Sequence, residues 1–329
     1  MTSRDLPARV LTRLPNWLGD ALMARPFLHA LRRSFDRARL ITTGPAGLLS
    51  VLAPERLWDE AVPWPPDAAA AARLRAERAD LAFVLPPSFS SAWWALRAGA
   101  RRRAGFTGDA RAWLLTDPVR RPARGDLHLS AEYLALGAPW GIGNPGTLAA
   151  LAADPDGRRE AADLCARAGV TGAYAILAPG AAYGPAKRWS AERYAQLAQR
   201  LAAHGRTILL CGAAADRGAC EAVAARGTGT VLAGTSSLGA MTALAAGAQV
   251  VVSNDSGLAH LAAATGAPTV VVFGSTSSAW TAPIGERVTV VQHAPVCAPC
   301  FQRTCRIGYR CLAAVSVERV VSACERWVA

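Results

Sequence analysis

The chain is short of the signatures that would place it in several common classes. No G-x-G-x-x-G follows its first strand-like run and no G-x-x-x-x-G-K-[ST] occurs, so a nicotinamide-dependent oxidoreductase or a P-loop enzyme has little support. The opening residues, MTSRDLPARVLTRL, contain no apolar signal-peptide segment, and a cytoplasmic protein is expected. Acids are scarce, 24 Asp and Glu against 36 Lys and Arg, for a net charge of +12. From Gly227 to Gly285 the only Asp, Glu, Lys or Arg is Asp255. Gly, Ser, Thr and Pro interrupt that run every few residues, so it reads as a buried α/β core and not as membrane spans. The eight cysteines, met without a secretory signal, argue for reduced thiols or a metal site over a disulfide framework.

What is present is apolar and long. At 329 residues and 52% hydrophobic, with mean hydropathy +0.18, the chain can fill two cores. Strand-length runs alternate with helical patterns: ARVLTRL then ALMARPFLHALRRSF, ARLITTG, LAFVLPPS then SSAWWALRAG, and later YAILAPG, TILLCGA, QVVVSND and TVVVFGS. This order predicts an α/β fold of parallel sheets covered by helices. The Gly- and Pro-rich stretch 137–157 marks a boundary, giving domains 1–150 and 151–329, and Val317, Val320, Val321, Cys324 and Trp327 predict a closing amphipathic helix over 315–328.

Chemistry in such folds sits in the turns after strands. In QVVVSNDSGLAHLAAATG a strand runs into a helix near Ser256, so the amides of Ser256, Gly257 and Leu258 can receive a phosphate while Asp255 suits sugar hydroxyls; a plain helix cap by Asp255 or Ser256 reads equally well. His260 is expected to pack in the core. In ILAPGAAYGPAKRWSAERY, Lys187 and Arg188 precede a helix capped by Ser190, where a cation can neutralise a diphosphate leaving group; two solvated charges are the bland alternative. Asp20, alone in LTRLPNWLGDALM, can serve as a general base or cap its helix. Asp154-Pro-Asp156 looks like a helix cap and not a metal-holding pair. Arg97, Arg101, Arg102, Arg103, Arg111, Arg120, Arg121 and Arg124 crowd one segment that should attract an anion: nucleic acid, an acidic membrane, or a phosphorylated substrate, unless they form only a solvated face. Cys297, Cys300, Cys305 and Cys311 are spaced C-x2-C-x4-C-x5-C, open between a structural zinc or iron site and four free thiols, while Cys165, Cys211, Cys220 and Cys324 read as core.

The motifs PNWLGDALM (15–23), VLPPSFSSA (84–92), RRAGFTG (102–108), APGAAYGPAKRW (178–189), LAGTSSL (232–238), NDSGLAH (254–260) and CAPCFQRTC (297–305) together resemble, in order, the ADP-heptose:lipopolysaccharide heptosyltransferases of glycosyltransferase family 9, most of all their type II branch. That resemblance implies a GT-B architecture, two Rossmann-like domains with parallel sheets facing a central cleft, and an inverting, metal-independent enzyme with no cofactor for catalysis. It puts the acceptor on the first domain and ADP-heptose on the second. It makes Asp20 the base, Lys187 the diphosphate cation, Asp255 a heptose contact, and Ser256, Gly257 and Leu258 the phosphate amides. Thr235 and Ser236 line the adenosine pocket, Asp216 approaches the ribose, and Asn16, Trp17, Arg102 and Arg103 meet the acceptor. The partners implied are ADP-heptose, the anionic Kdo-lipid A inner core and, peripherally, the inner face of the inner membrane, with no nucleic acid. A protein or small-molecule glycoside acceptor, or a non-catalytic nucleotide-sugar or nucleic-acid binder, are the alternative readings.

Overall fold

In a computed structural model that describes residues 7–328, the chain divides into two compact units, Met1–Ala149 and Ala150–Ala329. The first holds strands β1 (Arg9–Arg13), β2 (Arg39–Gly44), β3 (Glu60–Pro63), β4 (Leu81–Val84), β5 (Arg102–Phe106) and β6 (Asp117–Val119) in a six-stranded sheet of order β3-β2-β1-β4-β5-β6. Every pairing is parallel. The second holds β7 (Tyr174–Ala178), β8 (Thr207–Leu210), β9 (Thr230–Val231), β10 (Val250–Asn254), β11 (Thr269–Phe273) and β12 (Val288–Gln292) in the order β12-β11-β10-β7-β8-β9, again parallel throughout.

Both orders reverse once, between β1 and β4 in the first unit and between β10 and β7 in the second. At such a point the two following connections diverge to opposite faces of the sheet and leave a crevice at the carboxyl ends of the strands. The residues dictate this burial. VVVSN of β10 and TVVVF of β11 are buried at every position, as strands covered on both faces must be.

Two details depart from expectation. The helix read through ALMARPFLHALRRSF is two, Leu18–Met23 and Arg25–Ser34, because Pro26 cannot donate to the preceding turn and instead starts the second helix. The final helix spans Val317–Val328, and its Val317, Val320, Val321 and Cys324 join the core with Leu197, Leu201 and Val291. Trp327 completes the stripe by donating from Nε1 to Thr289 Oγ1 at 3.1 Å. Of the cysteines expected in the core, Cys211, Cys220 and Cys324 are buried, and burial pushes the Cys220 and Cys324 thiols up to about 12, whereas Cys165 is only partly covered.

Candidate active site

The switch point of the second unit gathers Lys187, Asp255 and the turn Ser256–Leu258. Asn254, fully buried at the end of β10, clamps the two diverging turns together. Its Nδ2 donates to the carbonyls of Pro179 (2.8 Å) and Gly180 (3.1 Å) beyond β7, and its Oδ1 accepts from Trp189 N (3.0 Å) and the Tyr194 hydroxyl (3.2 Å). With all its bonding capacity used, this amide fixes the 179–189 loop against the start of the following turn.

That clamp brings Lys187 to Asp255. Lys187 ends a 3-10 turn, Pro185–Lys187, and its Nζ lies 2.5 Å from Asp255 Oδ2, with side-chain exposures of 14% and 3%. The Thr276 hydroxyl, from the turn after β11, donates to the same oxygen at 2.5 Å, and Lys187 Nζ also sits 5.0 Å above the Tyr183 ring. Neither solvated charge nor helix cap describes this pair. Arg188, its exposed neighbour, ties back to the Ala181 carbonyl at 3.1 Å. Sequence reading missed Asn254 and Thr276. It also passed over a plain signal for Lys187: among 36 basic residues this is the only lysine in the chain. Where arginine serves for every other cation, one lysine marks a place that needs a compact point charge.

The helix after Asp255 spans Gly257–Ala264, with Ser256 in the extended N-cap conformation and no side chain capping it. The Ser256 hydroxyl is held instead by Ser253 at 3.0 Å. Among the described residues no acceptor is found for the half-buried amides of Ser256, Gly257 and Leu258, which leaves a helix N-terminus beside an ammonium, an arrangement suited to phosphate. His260 is buried within that helix.

Three further predicted residues border the neighbouring strand ends. Asp216 follows β8, accepts from Ala213 N at 3.1 Å, and packs so tightly on Gly180 that a Cβ there would lie 2.1 Å from its Cγ. Thr235 and Ser236 follow β9 in a turn pinned by Gly234 N on the Gly212 carbonyl at 3.0 Å. Asp154 is the expected cap, accepting from Gly157 N at 2.6 Å.

The four-cysteine stretch turns out to brace the lysine loop. The Tyr183 hydroxyl donates to the Phe301 carbonyl, Arg303 Nε donates to Tyr183 O at 2.7 Å, and Ala186 N donates to Arg303 O at 3.1 Å. Gly184, at φ +146°, leaves room for that approach, since a Cβ would meet Arg303 O at 2.6 Å. Cys297, Cys300, Cys305 and Cys311 line one cavity of about 390 Å³ with Ala186 and Ser275. Cys305 Sγ accepts from the amides of Ile307 (3.4 Å) and Tyr309 (3.3 Å). Among the described residues no three His, Cys, Asp or Glu side chains are arranged to hold a metal ion.

In the first unit, the turn after β1 carries Asn16, Trp17 and Asp20 at that unit's own switch point. Trp17 is exposed and is the N-cap residue, its side chain makes no cap bond, and half-buried Asp20 stands in the first helical turn. Burial foremost, and then the charge of Asp20, hold the buried Tyr133 hydroxyl well above its usual range, which places that carboxylate close to the 129–137 helix. Arg13 shapes the turn: buried over the Trp64 ring at 4.1 Å, it donates to Leu14 O and to Asn16 Oδ1 (2.5 Å), and burial lowers it to about 10.

The arginine-rich segment does not behave as one surface. Arg111 is wholly buried, donating to the carbonyls of Phe106 (2.8 Å) and Pro86 (2.6 Å), and it braces the turns after β4 and β5 instead of attracting an anion. Arg102 and Arg103 open β5, so they lie at the amino edge of the sheet, a strand's length from the edge that holds Asp20. Arg102 is engaged by Asp117 at 2.5 Å, and Arg103 by the carbonyls of Leu114 and Ala100, each at 2.7 Å. The structure therefore does not bring these two to Asn16 and Trp17.

Comparison with known proteins agrees with this geometry. The family model described as Glycosyltransferase family 9 (heptosyltransferase) matches residues 68–310. Lipopolysaccharide heptosyltransferase 2 of Escherichia coli K12 is 32% identical over 306 residues, covering 86% of this chain and 88% of that protein. Lipooligosaccharide heptosyltransferase 2 of Haemophilus influenzae is 29% identical, covering 84% and 86%. The solved structure of E. coli ADP-heptose LPS heptosyltransferase II superposes with a TM-score of 0.82 at 28% identity, over 97% of this chain and 98% of that one. With a family model that matches residues 68–310 and a relative 32% identical over 86% of this chain, the chain belongs to glycosyltransferase family 9 and is a glycosyltransferase.

Proposed function

We propose that this enzyme transfers heptose from ADP-L-glycero-β-D-manno-heptose to the inner-core heptose of lipopolysaccharide, with inversion and without a catalytic metal. The observation that carries the reading is the uncapped helix start at Ser256–Leu258 beside the lone lysine. Fixed amide dipoles and one ammonium meet the charge that builds on a departing diphosphate, the task given to a divalent ion in other transferases. Asp255 and Thr276 then take heptose hydroxyls, Asp216 the ribose, and Thr235 and Ser236 the adenosine side.

Asp20 accepts the proton of the acceptor hydroxyl as its oxygen bonds to the anomeric carbon and the bond to ADP breaks, a single displacement that inverts that centre. Asn16 and the exposed Trp17 flank the acceptor, Trp17 offering a face on which a sugar ring stacks. Arg120 and Arg124, exposed after β6, supply positive charge for a phosphorylated and Kdo-bearing core. The enzyme works in the cytoplasm against the inner membrane, and no described helix is long and apolar enough to cross that membrane. Cys297, Cys300, Cys305 and Cys311 line one cavity without converging as a metal-holding set, so zinc or iron as a structural tie requires them to regroup around the ion, which elemental analysis of the purified protein decides.

The test is Asp20→Asn assayed with ADP-heptose and a panel of truncated cores, products read by mass spectrometry. The variant keeps donor binding and loses turnover by a factor of about one hundred or more. Near-normal turnover removes Asp20 from the role, and a product on none of the cores removes the acceptor.

A further inference from the structure

Helix Phe89–Arg97, between β4 and β5, buries Ser91, Ala92 and Ala95 but leaves its outer face apolar. Phe89, Trp93 and Leu96 stand there at i, i+4 and i+7, exposed by 38%, 42% and 37%. Trp113, 68% exposed on the 3-10 turn Ala112–Leu114, extends the ridge with its ring 6.1 Å from that of Phe89. Soluble proteins seldom leave four large apolar side chains together in water without a use for them.

The flank of this ridge toward Arg97 is positively charged, while at its other end the exposed carboxylate of Asp109 accepts from the Phe89 amide at 2.6 Å. Helix Ala68–Glu77 packs on the same face of the sheet, Leu74 sharing a core cluster with Ala95 and Ala98, and Arg75 Nε donates to the Arg97 carbonyl at 3.2 Å. Arg75, Arg78 and Arg97 are all exposed, and among the described residues none has a carboxylate at ion-pair distance. The acids nearby are engaged elsewhere: Glu77 with Arg9 and Arg39, Asp80 with the amides of Ala8 and Arg9.

We propose that this aromatic ridge and its arginine rim dock the protein on the surface of an anionic phospholipid bilayer. Trp93, Trp113 and Phe89 enter the boundary between headgroups and acyl chains, where indole rings are favoured, while the arginines extend to lipid phosphates with their stems along apolar surface. Hydrocarbon beside phosphate, in one plane, is the ligand chemistry that matches both halves of the patch. The proposal extends the reading of a lipid-borne acceptor, and the two can fail separately.

The full chain is sedimented with vesicles of phosphatidylglycerol and phosphatidylethanolamine, and with phosphatidylcholine alone. Binding is expected only to the anionic vesicles, weakening with salt. Trp93→Ser with Trp113→Ser, and separately Arg75→Gln with Arg97→Gln, are each expected to lower it by about tenfold or more while turnover of a lipid-free core fragment stays at the wild-type rate. Equal binding to neutral vesicles, or variants that sediment like wild type, overturns the proposal. So does loss of turnover on the lipid-free fragment by the tryptophan variant, which gives the ridge to the acceptor site, and so does a dimer that this variant dissolves without any vesicle binding. Anionic-vesicle binding by a protein that transfers no heptose supports the docking surface and removes the proposed function instead.

Discussion

Lys187 and Asp255 neutralise each other across 2.5 Å with almost no solvent between, and replacing one alone strands the other. Removing one member of a buried pair costs about 3–5 kcal/mol, and the remaining exposure of the lysine sets this pair near the lower figure. For a unit of about 180 residues, Lys187→Met should therefore lower the melting temperature by about 6–12 °C. Adding Asp255→Asn removes the stranded charge yet keeps an oxygen for the Thr276 hydroxyl, and the double variant should return to within about 1 kcal/mol of wild type. Asp255→Asn alone leaves an ammonium facing the phosphate amides, so ADP should bind about tenfold tighter, a gain of about 1.4 kcal/mol that removal of one like charge supplies at an effective dielectric of about 20. Heptose transfer should nonetheless fall. Calorimetric unfolding and ADP titration measure both effects. Equal melting of the single and double lysine variants, or unchanged ADP affinity in Asp255→Asn, would refute the view that the pair holds the cation in reserve for the donor.

Asn254→Ala leaves three groups around the clamp without partners, the Pro179 and Gly180 carbonyls and the Trp189 amide, while the Tyr194 hydroxyl keeps the Ala178 carbonyl, and should cost about 3 kcal/mol or more in denaturant unfolding, with ADP affinity falling as the lysine loop is released. Gly180→Ala forces Asp216 aside, and titration should show ADP binding weakened by about tenfold with a smaller change in stability. Glu55 is a pH probe for the first unit. Burial would raise it, but bonds from His29 and Arg25 outweigh burial and hold it below the ordinary glutamate range. Its contribution is thus present above about pH 4.5 and lost as pH falls through the lower folded value. Glu55→Gln should be less stable than wild type at pH 7, and the difference should close as unfolding is followed into acid.

The long apolar strands and the turns after β1, β7 and β10 were legible because burial on both faces leaves an uninterrupted valine-rich run and a polar residue at its end stands out. β3, β6 and β9 were not, being too short to show a period. Asp20, Lys187 and Asp255 could be named one at a time, but their pairing could not, since Lys187 meets Asp255 only through a side-chain clamp between two strands far apart in sequence. Net charge misled over Arg102, Arg103 and Arg111. Charge counts carry no information about which end of a strand a residue occupies, or whether backbone carbonyls already hold its guanidinium.

The bond from Tyr183 to the Phe301 carbonyl joins residues 118 apart. The 179–189 loop is thus held from two sides, by the Asn254 amide inside the sheet and by residues 301–303 from the far end of the chain, so a chain ending short of residue 301 keeps the Asn254 clamp and the Lys187–Asp255 pair but lacks the outer brace on Tyr183 and Ala186. The seat of the lysine loop is in this way finished only by the far end of the polypeptide.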